Sequence, residues 1–334
     1  LSNNDKGDLY KRVVELKERG KAEVYSCSVE NLTRFFAAYS SGDRTRSFLK
    51  VQDGCDYKCA YCTIHYARGS SRNIPIADIV AEAKEIAAAG QKEIVITGIN
   101  TGDFGRTTGE RFIDLLRELD GVDGIERYRI SSIEPNLITD EIIEFCAQSP
   151  KFVPHFHIPL QSGSTRILGL MRRRYTAERY RERIAKIREL MPDSFLGVDV
   201  IVGFPGEGEE EFMETYRLLE EVGASFLHIF PFSERPGTPA VDMPNKVQAR
   251  ISTERVSRLE ELSAKLNRAF TERFIGTERE VLFESTNHDG LMYGYTDNYL
   301  RVSAPFNEAA VNNICCVRLD SIDANGDVCA TLIE

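Results

Sequence analysis

No stretch of the 334-residue sequence approaches the roughly 20 uninterrupted apolar residues a membrane helix needs. The first residues, Leu1 to Tyr10, are polar rather than signal-like. A soluble, cytoplasmic chain with no membrane contact is the expectation. A disulfide framework is also missing: the eight cysteines are three clustered and five scattered, unlike the dense pairing of small secreted domains. Positive charge is in deficit. The 42 Lys and Arg face 52 Asp and Glu, a formal net charge of −10, which excludes nonspecific nucleic-acid binding by the molecule as a whole. An initiator methionine is absent and LSNNDKGD reads as loop, so the chain is expected to follow an upstream domain.

What is present is a strong alternation of short β-rich runs with amphipathic helical stretches. Six runs read as strands: Phe48–Gln52, Glu93–Thr97, Tyr128–Ile133, His155–Pro159, Phe195–Val202 and Phe226–Pro231. Several are continuously apolar, as in parallel sheets buried on both faces. Pro75 opens a helix whose Ile76, Ile79, Val80, Ala83 and Ile86 share one face, and Gly90 ends it; Thr176 caps another carrying Tyr180, Ile184 and Ile187. Six β-α units imply an α/β fold, a partial TIM-like (β/α)6 barrel with its chemistry at the carboxyl ends of the strands. After Pro244, Leu259, Leu262, Leu266, Phe270 and Phe274 fall at helical spacing up to Gly276. Five short strand-like runs then predict a small all-β barrel. The expected division is a connector over 1–45, the barrel over 46–240, a linker helix over 241–275 and the β-barrel over 276–334.

Charge is uneven along this plan. Gln161 to Leu190 holds nine Lys/Arg against three Asp/Glu, whereas Gly276 to Glu334 holds three against ten. One face is expected to be basic and the tail acidic.

Directly after the first strand, Cys55, Cys59 and Cys62 put three thiols within eight residues. Thiolates suit iron–sulfur clusters and zinc, and a short loop lets them converge with little closure cost. A structural zinc site wants four closed ligands. His65 is available as the fourth, so a Cys3His zinc site stays open beside a four-iron cluster with one free iron. His155, His157 and His228 read as hydrogen-bonded strand residues. Cys146, Cys315, Cys316 and Cys329 read as small core hydrophobes.

The CxxxCxxC loop with Tyr61 before its last cysteine resembles the signature of radical S-adenosylmethionine enzymes. The resemblance extends over Tyr66–Gly69, Thr97–Gly105, Ser131–Pro135, Pro159–Ser164, Met171–Tyr175 and Asp199–Glu207, segments similar to those of methylthiotransferases. Asn-Thr-Gly-Asp at 100–103 and Met-Arg-Arg-Arg-Tyr at 171–175 resemble the MtaB branch, which methylthiolates tRNA N6-threonylcarbamoyladenosine. The terminal β-barrel, with its Gly294-Tyr295-Thr296-Asp297-Asn298-Tyr299 core, is similar to a TRAM domain.

The resemblance implies a 4Fe-4S cluster on Cys55, Cys59 and Cys62 whose open iron binds S-adenosylmethionine. It further implies addition of a methylthio group to C2 of the adenosine beside the anticodon, through a 5′-deoxyadenosyl radical. Cofactor contacts are implied for Tyr61, Gly98, Asn100, Gly102, Ser132, Glu134, Gln161, Arg173, Asp199, Gly203 and Phe230. Arg172, Arg173 and Arg174 would meet phosphate or a ligand carboxylate. A tRNA anticodon stem-loop and a reductant such as flavodoxin or ferredoxin are the implied partners.

Full methylthiotransferases hold a second 4Fe-4S cluster on three cysteines of an amino-terminal domain, and only Cys27 precedes the loop here. One cluster and S-adenosylmethionine cleavage, without completed methylthiolation, are therefore expected. His65 stands where the family typically has proline. The acidic tail suits a basic protein partner, which keeps a ribosomal-protein aspartate methylthiotransferase and a zinc-stabilised RNA-binding module as alternatives.

Overall fold

The computed structural model describes residues 3–19, 24, 26–40 and 45–333. A helix, α1 (Leu9–Arg19), precedes the first strand. Six strands follow: β1 (Arg46–Lys50), β2 (Glu93–Thr97), β3 (Arg127–Ile130), β4 (His155–His157), β5 (Phe195–Val202) and β6 (Phe226–Pro231). They form two parallel ladders, β1-β2-β3 and β4-β5-β6. The ladders are joined by isolated parallel bridges, Tyr128 with Phe152 and Ser132 with His157, and by Ile133 N donating to the His157 carbonyl at 3.0 Å. The six strands thus run in sequence order around an incomplete barrel. The strand expected over His155–Pro159 stops at His157, because Pro154 and Pro159 bracket it and neither carries an N–H for the ladder.

The helices are α2 (Ile64–Arg68), α3 (Ile76–Ala88), α4 (Phe112–Asp120), α5 (Asp140–Gln148), α6 (Thr165–Leu170), α7 (Ala177–Leu190) and α8 (Glu209–Glu221). Pro75 stands before α3, and Ile79, Ala83 and Ile86 bury its apolar face. The Thr176 hydroxyl accepts the Arg179 N–H at 3.2 Å at the start of α7, satisfying a donor that a helix terminus otherwise leaves open. Leu49, Ile94, Ile96, Val198 and Val200 supply the strand side of a continuous core. A long helix, α9 (Ala249–Glu272), covers β6 at the edge of its ladder, where the Ser263 hydroxyl accepts the Leu227 N–H at 3.0 Å.

Strands β7 (Glu278–His288), β8 (Leu291–Thr296), β9 (Arg301–Pro305), β10 (Ile314–Ile322) and β11 (Val328–Leu332) close into a five-stranded barrel in the order β10-β11-β9-β8-β7. Val281, Phe283, Met292, Val302, Val317 and Leu319 fill it. One expectation is corrected here. Cys146 is buried, but Cys316 is exposed and Cys315 and Cys329 are half-buried. Alternation along β10 points Val317 and Leu319 inward and leaves Cys316 outside.

Gly294 sits where β8 passes β7, and a Cβ there would lie 2.4 Å from the Leu282 carbonyl oxygen. Gly294→Ala is expected to cost about 1–3 kcal/mol through forced backbone shifts, measured as a lowered midpoint of thermal unfolding.

Candidate functional site

The three-cysteine loop leaves the carboxyl end of β1 and is fixed from below by Gln52. This buried side chain donates to the carbonyls of Asp53 at 3.2 Å and Gly54 at 2.8 Å and to the Ser71 hydroxyl at 2.8 Å, and its Oε1 accepts the Asn100 N–H at 2.8 Å. One residue thus ties the cysteine loop to the loop after β2. Gly54 has φ +75°, and a Cβ would lie 2.0 Å from the Ser70 carbonyl oxygen, so the chain turns there only with glycine. Asp53 pairs with Lys50 at 2.9 Å and Arg72 at 3.0 Å. Burial pushes its carboxyl up, but those cations hold it below the usual range. Gln52→Leu would strand these partners, each worth about 1–3 kcal/mol when buried and unpaired. The expected outcome is a chain that folds but retains markedly less iron after reconstitution, read by iron analysis.

Each thiol receives one donor. Tyr57 N–H points to Cys55 Sγ at 3.4 Å, Ile64 N–H to Cys62 Sγ at 3.4 Å, and Arg173 Nη1 to Cys59 Sγ at 3.3 Å. Burial pushes the Cys55 thiol up to about 11, and it raises Cys59 despite the Arg173 guanidinium. Neutral thiols gain little from such donors, whereas metal-bound sulfur carries the charge they are placed to stabilise.

The spacing separates the two metal readings. A single tetrahedral zinc, with ligands at about 2.0–2.3 Å, draws its sulfurs to within roughly 4 Å of one another. Among the described residues, the group with three potential ligand atoms all within 4.8 Å is His157, Asp199 and His228, not the loop cysteines with His65. His65 instead packs its ring on Tyr66 at 3.9 Å. The three thiols and His65 are thus not gathered as closely as one tetrahedral ion would draw them.

Beside the loop lies a pocket of about 440 Å³. Tyr61, Cys62, Gln161, Asp199, Ile201 and Phe230 line it, so five of the residues singled out in the sequence meet there. Gln161 holds φ +64°, an uncommon conformation for a side-chain-bearing residue. It is pinned by its N–H to the Asp199 carbonyl at 2.8 Å and by its carbonyl to the Ile201 N–H at 2.9 Å. Phe230 is half exposed at the rim.

The other singled-out residues are not part of that lining. Arg173 bridges Cys59 to Glu134, with which it forms an ion pair, and its Nε donates to the Tyr175 hydroxyl at 3.2 Å. Glu134 lies above the ordinary carboxylate range because burial outweighs the Arg173 guanidinium. Asn100 is buried, and neither atom of its side-chain amide has a hydrogen-bond partner, leaving one donor and one acceptor group for a ligand. Gly98 abuts Gln52, Gly102 abuts Leu137, and Ser132 takes the Thr101 hydroxyl on its carbonyl at 2.6 Å. Gly203 lies further along: its N–H donates to Glu207 at 2.9 Å, and Glu207 pairs with buried Arg255 of α9 at 2.6 Å.

Sequence reasoning missed Gln52 as the anchor of the loop and gave His157 no partner. His157 Nε2 lies 2.8 Å from Asp199 Oδ1, and its ring stacks on His228 at 4.9 Å. The one local signal for Gln52 is a lone amide ending an apolar strand.

A parallel barrel with this loop at the head of its first strand defines the radical S-adenosylmethionine class. The Radical SAM superfamily pattern matches residues 49–219. Coproporphyrinogen III oxidase (HemN) of Escherichia coli, described as a radical SAM enzyme, shares the fold with a TM-score of 0.52 at 14% identity, over 83% of this chain and 67% of that one.

Among curated proteins, the Threonylcarbamoyladenosine tRNA methylthiotransferase MtaB of Bacillus subtilis (strain 168) is 44% identical over 83% of this chain and 63% of its own length. The protein of that name from Aquifex aeolicus (strain VF5) is 40% identical over 90% and 73%. The tRNA-2-methylthio-N(6)-dimethylallyladenosine synthase of Wolinella succinogenes is 37% identical over 90% and 70%. The chain therefore belongs to the radical SAM methylthiotransferase family. It spans somewhat under two thirds of the Bacillus subtilis relative.

Proposed function

We propose that the chain acts in tRNA methylthiolation, with N6-threonylcarbamoyladenosine beside the anticodon as the nucleoside modified. The observation that carries this reading is the trio of thiols, each met by a hydrogen-bond donor, at the edge of a pocket lined by Gln161, Asp199 and Phe230.

Cys55, Cys59 and Cys62 would hold one 4Fe-4S cluster. S-adenosylmethionine would occupy the adjoining pocket, with Asn100 and Gln161 offering it polar groups and Phe230 and Tyr61 offering aromatic faces. Such a cluster, given one electron from the reductant, would supply the reductive cleavage of S-adenosylmethionine to a 5′-deoxyadenosyl radical and methionine, chemistry suited to a C2 position that acid–base catalysis does not activate. Arg173 positions Cys59 and Glu134 through direct contacts. Exposed Arg172 and Arg174, the latter stacked 4.0 Å over Tyr57, present cations beside the loop to the tRNA backbone. Flavodoxin or ferredoxin is the proposed reductant, and the cytoplasm the proposed compartment.

The remaining cysteines are scattered, so this chain is assigned one cluster and cleavage of S-adenosylmethionine. Anaerobically reconstituted protein should carry about four irons per chain and release 5′-deoxyadenosine when given dithionite and S-adenosylmethionine. A colourless, zinc-loaded protein with no such release would sink the proposal, and about eight irons would defeat the single-cluster assignment.

A further inference from the structure

One cation in the wall of the pocket beside the cysteine loop is left without a protein partner. Arg235, in the loop after β6, lines that pocket together with Cys62, Thr63 and Asp199. Other arginines around the cysteine loop are engaged: Arg173 pairs with Glu134, Arg68 with Asp53 at 3.6 Å, and Arg174 donates to the Asp56 carbonyl at 3.0 Å. Arg235 is exposed, and among the described residues its guanidinium makes no hydrogen bond or ion pair. The one carboxylate in the same wall, Asp199, is held by His157 at 2.8 Å, and its neighbour in sequence, Glu234, by Lys246 at 2.6 Å. A guanidinium so placed is a ready contact for an anionic oxygen.

The backbone that carries this cation is fixed. The Thr238 hydroxyl and N–H both donate to the Arg235 carbonyl, at 2.7 and 3.1 Å, and Gly237, with φ +81°, makes the turn between them. Two further bonds tie the turn to the segment bearing the cysteines. The Tyr66 hydroxyl donates to the Gly237 carbonyl at 3.2 Å, and the Ala240 N–H to the Ala60 carbonyl at 2.9 Å. A contact made from such a turn costs little ordering. A groove of about 510 Å³, lined by Tyr66, Ala67, Pro236 and Gly237, adjoins the pocket at Thr63, which both share. The Tyr66 ring is half exposed there, as is Phe230 at the pocket rim.

A cation with exposed rings at the mouth of a pocket matches the way single-stranded RNA is held, by stacking of bases and neutralisation of the backbone. A base brought into a pocket for chemistry leaves its phosphates at the rim, and the rim is where Arg235 stands. We propose that Arg235 grips a backbone phosphate flanking the modified nucleotide, so that the site takes a nucleotide within RNA in preference to a free nucleoside. This rests on the proposed tRNA reading and names the form of substrate its site accepts. The methionyl carboxylate of S-adenosylmethionine and the carboxylate of a threonylcarbamoyl group offer the guanidinium the same chemistry, so all three sources are compared.

Fluorescence anisotropy of the anaerobically reconstituted chain, across a series of salt concentrations, uses two anticodon stem-loop RNAs that differ only in whether the target adenosine carries N6-threonylcarbamoyl. Each phosphate contact on a single strand contributes about 0.7 to the slope of log K against log salt. Arg235→Gln should lower the slope by about 0.7 for both RNAs and weaken binding about tenfold at low salt, while Arg235→Lys should keep the slope. Lys84→Gln removes an exposed charge on α3, outside the linings of pocket and groove, and should leave the slope as it is. S-adenosylmethionine affinity, by isothermal titration, should be equal in all four proteins. An unaltered slope in Arg235→Gln overturns the assignment. A loss confined to the modified RNA, which assigns the guanidinium to the N6 carboxylate, overturns it as well, as does a loss of S-adenosylmethionine affinity with the RNA slope intact. If the wild type binds neither RNA, the tRNA reading falls too; if it binds both and only the Arg235 effect is missing, the phosphate contact alone has failed.

Discussion

Cys59→Ala, and equally Cys55→Ala or Cys62→Ala, should yield a folded, colourless chain that releases no detectable 5′-deoxyadenosine from S-adenosylmethionine. Cys59 is almost fully buried, yet alanine is smaller and apolar, so the stability cost is about 1 kcal/mol, the ordinary size for a single substitution. The functional cost is of another order. A cluster held by the three thiols would lose one of its protein corners, and a fall of roughly a thousandfold or more, about 4 kcal/mol of barrier, is expected. His65→Ala sharpens the test. A cluster on three cysteines keeps its iron and colour in that variant, whereas a zinc site closed by imidazole would lose its metal. Iron analysis and the visible spectrum of the four variants, with circular dichroism to verify folding, give the answer. Retained 5′-deoxyadenosine release in any cysteine variant would remove the basis of the assignment.

Much of this site was legible because it is local. Three thiols separated by three and two residues can meet on one loop whatever the rest of the chain does, and the Gly- and Pro-rich segments announce turns at strand ends. The contacts that equip the loop are not local. Arg173 reaches Cys59 across 114 positions, and His157 finds Asp199 across 42. No periodicity encodes such pairs; they follow from the order in which β4, β5 and the segment after α6 come around the barrel. The same holds for cysteines in the small barrel. Composition suggested a buried role for Cys316, but side-chain alternation along β10 decided which face it occupies. The basic stretch at Arg172 to Arg174 was visible as a family-like motif and as charge, without the separate partners of its members. Barrel closure then gave its members separate tasks: Arg173 turns inward to Glu134 and Cys59, while Arg174 stays on the surface over Tyr57.

The junction of the two barrels went unread for the same reason, and it carries the second large expected effect. Arg129 of β3 is 2% exposed and pairs with fully buried Glu93 of β2, while its guanidinium also donates to the carbonyls of Thr296 and Asp297 in the small barrel. Arg127 makes a parallel reach to the carbonyls of Tyr295 and Glu280. Two strand arginines thus fasten the small barrel under the large one. Arg129→Met leaves Glu93 as a buried charge without its main partner, a loss of about 3–5 kcal/mol. It should show as a separate, earlier unfolding transition of the small barrel in calorimetry. The double variant Arg129→Met with Glu93→Leu should recover most of that loss, since an apolar pair of similar bulk often replaces a buried ion pair without penalty.

The pH dependence follows from the same pair. Burial pushes the Glu93 carboxyl up, but Arg129, Arg46 and Arg127 outweigh it and hold the folded-state pKa below its ordinary 4.5. A group depressed on folding contributes stability that is fully present above the unfolded value and is lost as pH falls through the folded one. The wild type should therefore keep its junction from neutrality down to about pH 4.5 and weaken below it, while the double variant should lack this acid limb. An identical acid profile in the two proteins would assign the junction to the apolar contacts around it rather than to the ion pair.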